Sequence, residues 1–212
     1  MMEGTHYHVD ERQVIPMATQ ISSKLDRRAA ILQAAREVLA AKGLEATKIS
    51  DIVARAGVAQ GTFYLYFPSK MSLIVALAEE MNVQIMAILQ EVVAGSETFA
   101  EAITRGIGAA FQVMGQYRDV LDIIHSRIAL AEMRVLCEEM YQPFYDFIGG
   151  LIRQGQSEGN LAPDANPDIA ARLIVGLIEH AGNECYVLHT QTPSEEFMAE
   201  VARFVRAALG AL

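Results

Sequence analysis

Residues 57–70 read GVAQGTFYLYFPSK. Four aromatic rings lie within five positions of this segment, at Phe63, Tyr64, Tyr66 and Phe67, although the chain has no Trp and only seven Tyr and eight Phe. Phe63 and Phe67 are four residues apart and therefore share one face of a helix, which predicts that they hold a short helix against a core. Tyr64 and Tyr66 then point outwards, where a flat ring with a hydroxyl group can contact a phosphate or a base edge.

The residues before this segment predict two more helices. Ser23, with an acid three residues later, predicts the N-cap of a first helix that ends at about residue 43. Thr47 predicts the N-cap of a second helix that ends at Gly57, where the chain leaves at positive φ. The third helix is expected over residues 59–66. Two short helices joined by a tight glycine turn are typical of a helix-turn-helix.

The remainder of the chain is also expected to be helical. Ser69 predicts the N-cap of a long fourth helix that runs to about Val93. Asn166 and Thr192, each followed by proline, predict the N-caps of the last two helices. The five later helices are expected near residues 97–116, 119–127, 129–157, 167–189 and 193–209.

The fold class predicted is therefore all-α, with an N-terminal three-helix DNA-binding domain and a larger helical C-terminal domain. The expected divisions are a flexible tail over 1–22, the helix-turn-helix domain over 23–68, a linking helix over 69–93 and the C-terminal domain over 94–212.

The charge is divided unevenly along the chain. The net charge is −9, which by itself argues against a nucleic-acid partner. Residues 24–72, however, contain eight Lys or Arg and four Asp or Glu. Residues 73–212 contain eight Lys or Arg and 19 Asp or Glu. Any contact with DNA phosphates is therefore expected from the first third of the chain.

Several other classes of protein are not expected from the composition. No uninterrupted apolar run approaches the roughly 20 residues that cross a bilayer, so no membrane partner is expected. Cys137 and Cys185 are far apart in the sequence, which favours a reducing cytoplasm and no structural metal. His6, His8 and Asp10 could bind a metal, but a solvated tail is the simpler interpretation. No cofactor is expected.

Residues 27–75 resemble the N-terminal DNA-binding domain of TetR-type transcriptional regulators. The resemblance rests on KG at the end of the first helix, on TKISDIVARAGV over 47–58, and on GTFYLYFPSK over 61–70, which an apolar helix follows. Leu65 stands where many relatives carry Tyr or His. The resemblance implies a homodimer that binds a palindromic operator, mostly as a repressor that a small ligand releases.

The resemblance also implies which residues contact DNA. Gln60 and Thr62 are candidates for base edges, and Thr47, Tyr64, Tyr66 and Lys70 are candidates for phosphates. The full set implied is Thr47, Lys48, Ala59, Gln60, Gly61, Thr62, Tyr64, Tyr66 and Lys70.

The C-terminal part is expected to form the dimer and the ligand pocket. By analogy with the family, the helices near 167–189 and 193–209 form the dimer interface, and both carry wide apolar surfaces; burial within one chain is the alternative. Polar and aromatic side chains within apolar helices are candidates for contact with a small hydrophobic or aromatic effector. These candidates are Phe111, Met114, His125, Tyr141, Phe144, Tyr145, Glu179, Asn183 and Tyr186.

The sequence leaves a second function open. A TetR-like scaffold without operator binding could act as a protein-binding adaptor, with Tyr64 and Tyr66 as its interaction surface. The chain has no nucleophile elbow, phosphate loop, HExxH motif or clustered acid pair, so an enzyme is not expected.

Overall fold

The computed structural model describes the backbone of residues 17–127 and 131–211, and the side chains of residues 26–125 and 138–211. These residues form helices and connecting turns, with no strand among them, so the all-α expectation is confirmed. The predicted tail residues His6, His8 and Asp10 and the side chain of Cys137 lie outside the described part. The helices are α1 (Met17–Ala46), α2 (Ile49–Ala56), α3 (Gln60–Tyr66), α4 (Lys70–Ala94), α5 (Phe99–Gln116), α6 (Arg118–Arg127), α7 (Ala131–Ser157), α8 (Pro167–Asn183) and α9 (Glu195–Leu209), and a π-helical turn (Glu184–Leu188) follows α8.

The first two helices differ from the sequence prediction at their starts. Helix α1 begins at Met17, so Ser23 lies inside it and is not its N-cap. Lys48 occupies the N-cap position of α2, and Thr47 is buried behind it. Gly43 (φ 72°) and Gly57 (φ 67°) both have the left-handed conformation that glycine adopts most easily. The turn between α2 and α3 is therefore the one predicted for a helix-turn-helix.

Helix α3 has only seven residues and depends on packing for its stability, because short isolated helices are unstable in water. Phe63 and Phe67 are almost completely buried, and their ring centroids lie 5.6 Å apart. The guanidinium of Arg28 on α1 lies 5.5 Å from the centroid of the Phe67 ring. The two phenylalanines hold α3 to the core as predicted.

Helix α4 joins the N-terminal helices to the rest of the protein. Its predicted N-cap is confirmed, because the Ser69 side chain accepts a hydrogen bond from the backbone N–H of Ser72. The helix is long and apolar enough to cross a membrane by length and composition. Leu73, Ile74 and Leu77 are, however, fully buried within the protein, so α4 is a core helix.

Helices α5, α6 and α7 pack against α4, whereas α8 packs against α7 and α9 against α5. The predicted N-cap Asn166 is confirmed, with its side chain accepting bonds from the N–H groups of Asp168 and Ile169. The predicted N-cap Thr192 is wrong: Ser194 caps α9 and accepts a bond from the Phe197 N–H. The helix predicted over 167–189 ends as a π-helical turn, which packs beside α6.

Candidate DNA-binding surface and effector cavity

Helix α3 presents one face to solvent. Ala59, Gln60 and Gly61 are exposed at its start, and Tyr64 is 49% exposed. Thr62 and Tyr66 are half-buried on the flanks of this face. The candidates for reading DNA therefore lie along the exposed part of α3, whereas Phe63 faces the core. Leu65 is 79% exposed, which gives the same surface a large apolar side chain.

Gly61 is not required by packing within the chain. A Cβ atom at this position would meet no other atom of the protein within 4 Å. Glycine is also a poor helix former, so its presence in α3 weakens the helix. A close approach of another molecule to the backbone at Gly61 would account for it.

Two of the predicted phosphate contacts have partners within the protein. The Thr47 side chain is only 2% exposed, and its hydroxyl donates to the Gly43 carbonyl oxygen at 2.7 Å. The Lys70 Nζ atom donates to the carbonyl oxygens of Leu44 at 2.7 Å and Thr47 at 3.0 Å. The Thr47 hydroxyl is therefore not presented to a phosphate. Lys70 fastens the start of α4 to the corner between α1 and α2.

Other charged side chains of the N-terminal helices are paired. Lys42 Nζ lies 3.1 Å from Asp51 Oδ1, and Arg55 pairs with Glu37. The pKa of Asp51 is lowered, chiefly because its carboxylate accepts the backbone N–H of Lys48 and secondly because it accepts a hydrogen bond from Lys42. The Lys48 side chain itself is exposed beside the start of α2, where a cation suits a phosphate.

A cavity of about 800 Å³ lies between α4, α5, α7, α8 and α9. Along α4 its wall extends from Met81 to Val93, and along α7 from Tyr141 to Glu158. At 1.5 Å per residue these stretches are roughly 18 Å and 25 Å long. The cavity is therefore elongated, and its volume is typical of a site for a small organic ligand.

Four of the nine predicted ligand contacts line this cavity. Met114, Tyr141, Phe144 and Glu179 all border it. His125 and Asn183 border a second, much smaller pocket. Tyr141 and Glu179 line both this pocket and the main cavity, and so lie between the two.

The other three predicted contacts lie elsewhere. Phe111 is buried against Phe197, and its carbonyl oxygen accepts a 2.7 Å hydrogen bond from the Tyr186 hydroxyl. The π-helical turn directs the Tyr186 ring towards α5, which explains why it does not reach the cavity. Tyr145 lies under the guanidinium of Arg172, 4.4 Å from the ring centroid.

Glu179 is a half-buried ionisable group that lines the cavity. Burial raises the pKa of its carboxyl group above the ordinary value of 4.5, while a hydrogen bond from Tyr141 and the charges of His125 and His180 act in the opposite direction. Ionisation of this carboxyl is therefore less favourable than that of a glutamate in water. Among the described residues, no group of three or more His, Cys, Asp or Glu is placed to hold a metal ion.

The sequence analysis missed much of the cavity wall. The missed part on α5 includes Ile103, Gly106, Ile107 and Ala110, and the turn after α7 contributes 159–162. The α5 residues follow the helical spacing of an ordinary core face, so their periodicity predicts burial but not an empty space beside them.

Large apolar side chains of α8 and α9 are exposed on the outside of the protein. Ile169 is 58%, Leu173 is 69% and Phe204 is 63% exposed. Ile169, Leu173 and Gly176 form an exposed stripe along α8, and a Cβ at Gly176 would meet no other atom within 4 Å. Val201, Val205 and Leu209, which also belong to the predicted dimer surface, are instead buried within the chain.

Two family models match this chain. Residues 31–77 match the model described as bacterial regulatory proteins of the tetR family, and residues 103–209 match the tetracyclin repressor-like C-terminal domain. The uncharacterized HTH-type transcriptional regulator YvdT of Bacillus subtilis (strain 168) is 33% identical over 195 residues, which cover 92% of this chain and 99% of that protein. The chain therefore belongs to the TetR family of helix-turn-helix transcriptional regulators, and the expectation of a DNA-binding regulator is confirmed.

Solved structures share the same fold. The regulator FadR from Bacillus subtilis in complex with stearoyl-CoA has a TM-score of 0.71 at 22% identity, covering 87% of this chain and 98% of that one. A regulator from Saccharomonospora viridis in complex with choline has a TM-score of 0.70 at 21% identity, also covering 87% and 98%. At identities of 22% and 21%, the similarity to these two structures establishes a common fold alone.

Proposed function

We propose that this protein is a homodimeric repressor that binds a palindromic operator and is released from it by a small, largely apolar ligand. The observation that supports this most strongly is the position of α4. Its first residue, Lys70, is bonded to the corner between α1 and α2, and its later residues Met81, Ile85 and Leu89 line the cavity. One helix is thus in contact with both the DNA-binding unit and the ligand site.

The proposed DNA contacts lie on α3 and at the start of α2. We assign Gln60 and Thr62 to base edges, and Tyr64 and Lys48 to phosphates. Gly61 allows the backbone of α3 to approach the duplex. Lys70 has a positioning role first, because two of its three N–H donors are already used.

The proposed partner is a second copy of the chain. Ile169, Leu173 and Phe204 leave an apolar surface on α8 and α9 that a twofold-related copy would cover. A dimer presents two α3 helices, which reach successive major grooves when they lie about 34–36 Å apart. A ligand that binds better to a dimer with another spacing would release the operator by a population shift.

Selection from a randomised duplex library tests the operator. The full-length protein would be used at about 150 mM salt, where weak electrostatic binding is largely screened. We expect an inverted repeat to be enriched. Retention of DNA without any preferred sequence would contradict the proposal and would favour the adaptor function.

Sedimentation velocity tests the dimer. The double variant Leu173→Glu, Phe204→Glu places charges on the proposed interface and should sediment as a monomer. Val83→Glu is the matched control, because Val83 is an apolar side chain of α4 that is 68% exposed. Dimers of the double variant would show that α8 and α9 do not form the interface.

A further inference from the structure

The effector chemistry is decided by the cavity of this chain and not by its fold, because related folds hold stearoyl-CoA in one protein and choline in another. The elongated cavity requires a long molecule. Its walls along α4 and α7 are mostly aliphatic and aromatic, and Met81, Met114 and Phe144 border its inner part. Such a wall favours an alkyl or other extended apolar body.

The charged residues of the cavity are all acidic. Glu97, Glu158 and Glu179 line it, and none of the described lining residues is Lys, Arg or His. A carboxylate or phosphate ligand normally needs an Arg or Lys partner, and here it would instead meet negative charges. The chemistry of the wall therefore disfavours an anion.

The basic side chains near the open end are already paired. Arg105 Nη1 donates to Glu101 Oε1 at 3.0 Å and to the Gly95 carbonyl oxygen at 2.9 Å. Arg153 Nη1 donates to Asp168 Oδ1 at 2.7 Å. Neither guanidinium is among the groups that line the cavity. An acyl-CoA phosphate at the open end would first have to break one of these pairs.

The acids occupy the two ends of the cavity. Glu97 and Glu158 are exposed beside the loops 95–98 and 159–162, where the cavity meets solvent. Glu179 lies at the other end with Tyr141, Met81 and Met114. Two exposed carboxylates at the entrance attract a cation from solution. A third carboxylate, that of Glu179 at the inner end, then offers the cation a partner in apolar surroundings.

Glu179 is suited to such a partner. Tyr141 gives its carboxyl a hydrogen bond, but no Lys or Arg acts on it. Burial disfavours its ionised form, and a cation beside it would restore that form by direct attraction.

We propose that the effector is a long apolar molecule with an amine or quaternary ammonium group, and that this group lies against Glu179. The proposal rests on the ligand-responsive function proposed above and names its ligand class. The cavity thus selects a lipophilic cation over a fatty-acyl anion of the same length.

Isothermal titration of the full-length protein with three matched probes tests this directly. The probes are decyltrimethylammonium, decanol and decanoate, used below their micelle concentrations, so that only the head group changes. We expect the cation to bind at least about tenfold more tightly than the alcohol and the anion, which corresponds to about 1.4 kcal/mol. Decanoate or decanoyl-CoA binding more tightly than the cation would overturn the proposal, as would no binding of any probe.

Variants of Glu179 locate the cation. Glu179→Gln keeps the shape and should reduce the affinity for the cation by about tenfold while leaving that for decanol unchanged. Glu179→Asp keeps the charge and should retain the preference for the cation. Glu91→Gln, on the exposed part of α4 outside the cavity, is the control. An unchanged head-group preference in Glu179→Gln would contradict the proposed position.

The titration needs no DNA, so its result is separate from that of the operator selection. An operator that is bound, together with a cavity that prefers anions, would overturn the ligand class alone. A cavity that prefers cations, together with no operator, would overturn the repressor function alone.

Discussion

The guanidinium of Arg36 on α1 lies over the ring of Tyr117, 3.9 Å from its centroid, at the junction of α5 and α6. Arg36 also donates a hydrogen bond to the Gln116 carbonyl oxygen. The Tyr117 hydroxyl in turn donates to Glu80 and accepts from Gln84, both on α4. Burial raises the pKa of Tyr117 to about 12, with the nearby Glu80 acting in the same direction, so the hydroxyl stays protonated. A single ring thus links α1, α4 and the α5–α6 junction.

Arg36→Met should destabilise the protein. It removes a cation–π contact and a charge-assisted hydrogen bond, which together are worth about 2 kcal/mol at a partly desolvated site. Urea unfolding followed by circular dichroism measures the difference. Arg203→Met is the control, because Arg203 pairs with the exposed Glu200 three residues earlier and its loss should leave stability nearly unchanged. Equal losses of unfolding free energy in the two variants would show that the Arg36–Tyr117 contact stabilises the protein no more than an exposed ion pair does.

Gly61→Ala should separate folding from DNA binding. The added methyl group meets no atom of the protein, and alanine favours the helix, so stability should stay the same or rise by up to about 1 kcal/mol. Operator affinity should fall, because the methyl group lies where the duplex approaches α3. Thermal unfolding and fluorescence anisotropy measure the two effects. Full operator affinity in this variant would show that the duplex does not come close to Gly61.

Lys48→Met and Lys70→Met should behave differently. Lys48 is exposed, so its loss should weaken DNA binding, lower the salt slope by about 1 and leave stability unchanged. Lys70 is bonded to two carbonyl oxygens, so its loss should also lower the free energy of unfolding by about 2 kcal/mol. Binding titrations at several salt concentrations, with urea unfolding, distinguish the two. A Lys70→Met variant as stable as wild type would contradict the positioning role.

The stability contributed at Glu179 should depend on pH. Its pKa is raised in the folded protein, so the neutral carboxyl is favoured by folding below its ordinary pKa of 4.5, and that contribution is lost as the pH rises through the raised value. Wild type should therefore lose stability relative to Glu179→Gln as the pH rises from the ordinary pKa of 4.5 through the raised value. Tyr141, His125 and His180 all act to lower the pKa of this carboxyl, against the larger effect of burial, so the comparison is made at matched salt. Glu195→Gln, at an exposed site, should show no such trend.

Features set by short-range chemistry were predictable from the sequence. Gly57 and Ser69 have the turn and the cap expected of them, because each depends on a few adjacent residues. Ser23 and Thr192 failed as caps, since Ser23 continues inside α1 and Ser194 is the better-placed acceptor for α9. More than one polar residue could cap each helix, and only the packed structure selects one.

The cavity could be predicted only in part. Tyr141 and Glu179 stood out because they are polar residues within apolar helices. Tyr186 has the same signature and Phe111 was chosen as an aromatic lining residue, yet the two pack together between α5 and the π-helical turn. Whether an aromatic side chain fills a core or borders a space depends on the register of neighbouring helices, which periodicity does not contain.

The central claim is that the exposed face of α3 reads DNA. The most direct test is the affinity of wild type, Tyr64→Ala and the control Val83→Ala for the inverted repeat recovered by selection, measured by anisotropy at about 150 mM salt. We predict that Tyr64→Ala binds about ten- to a hundredfold more weakly, and that Val83→Ala binds like wild type. Equal affinities of Tyr64→Ala and wild type would show that this face does not contact the operator.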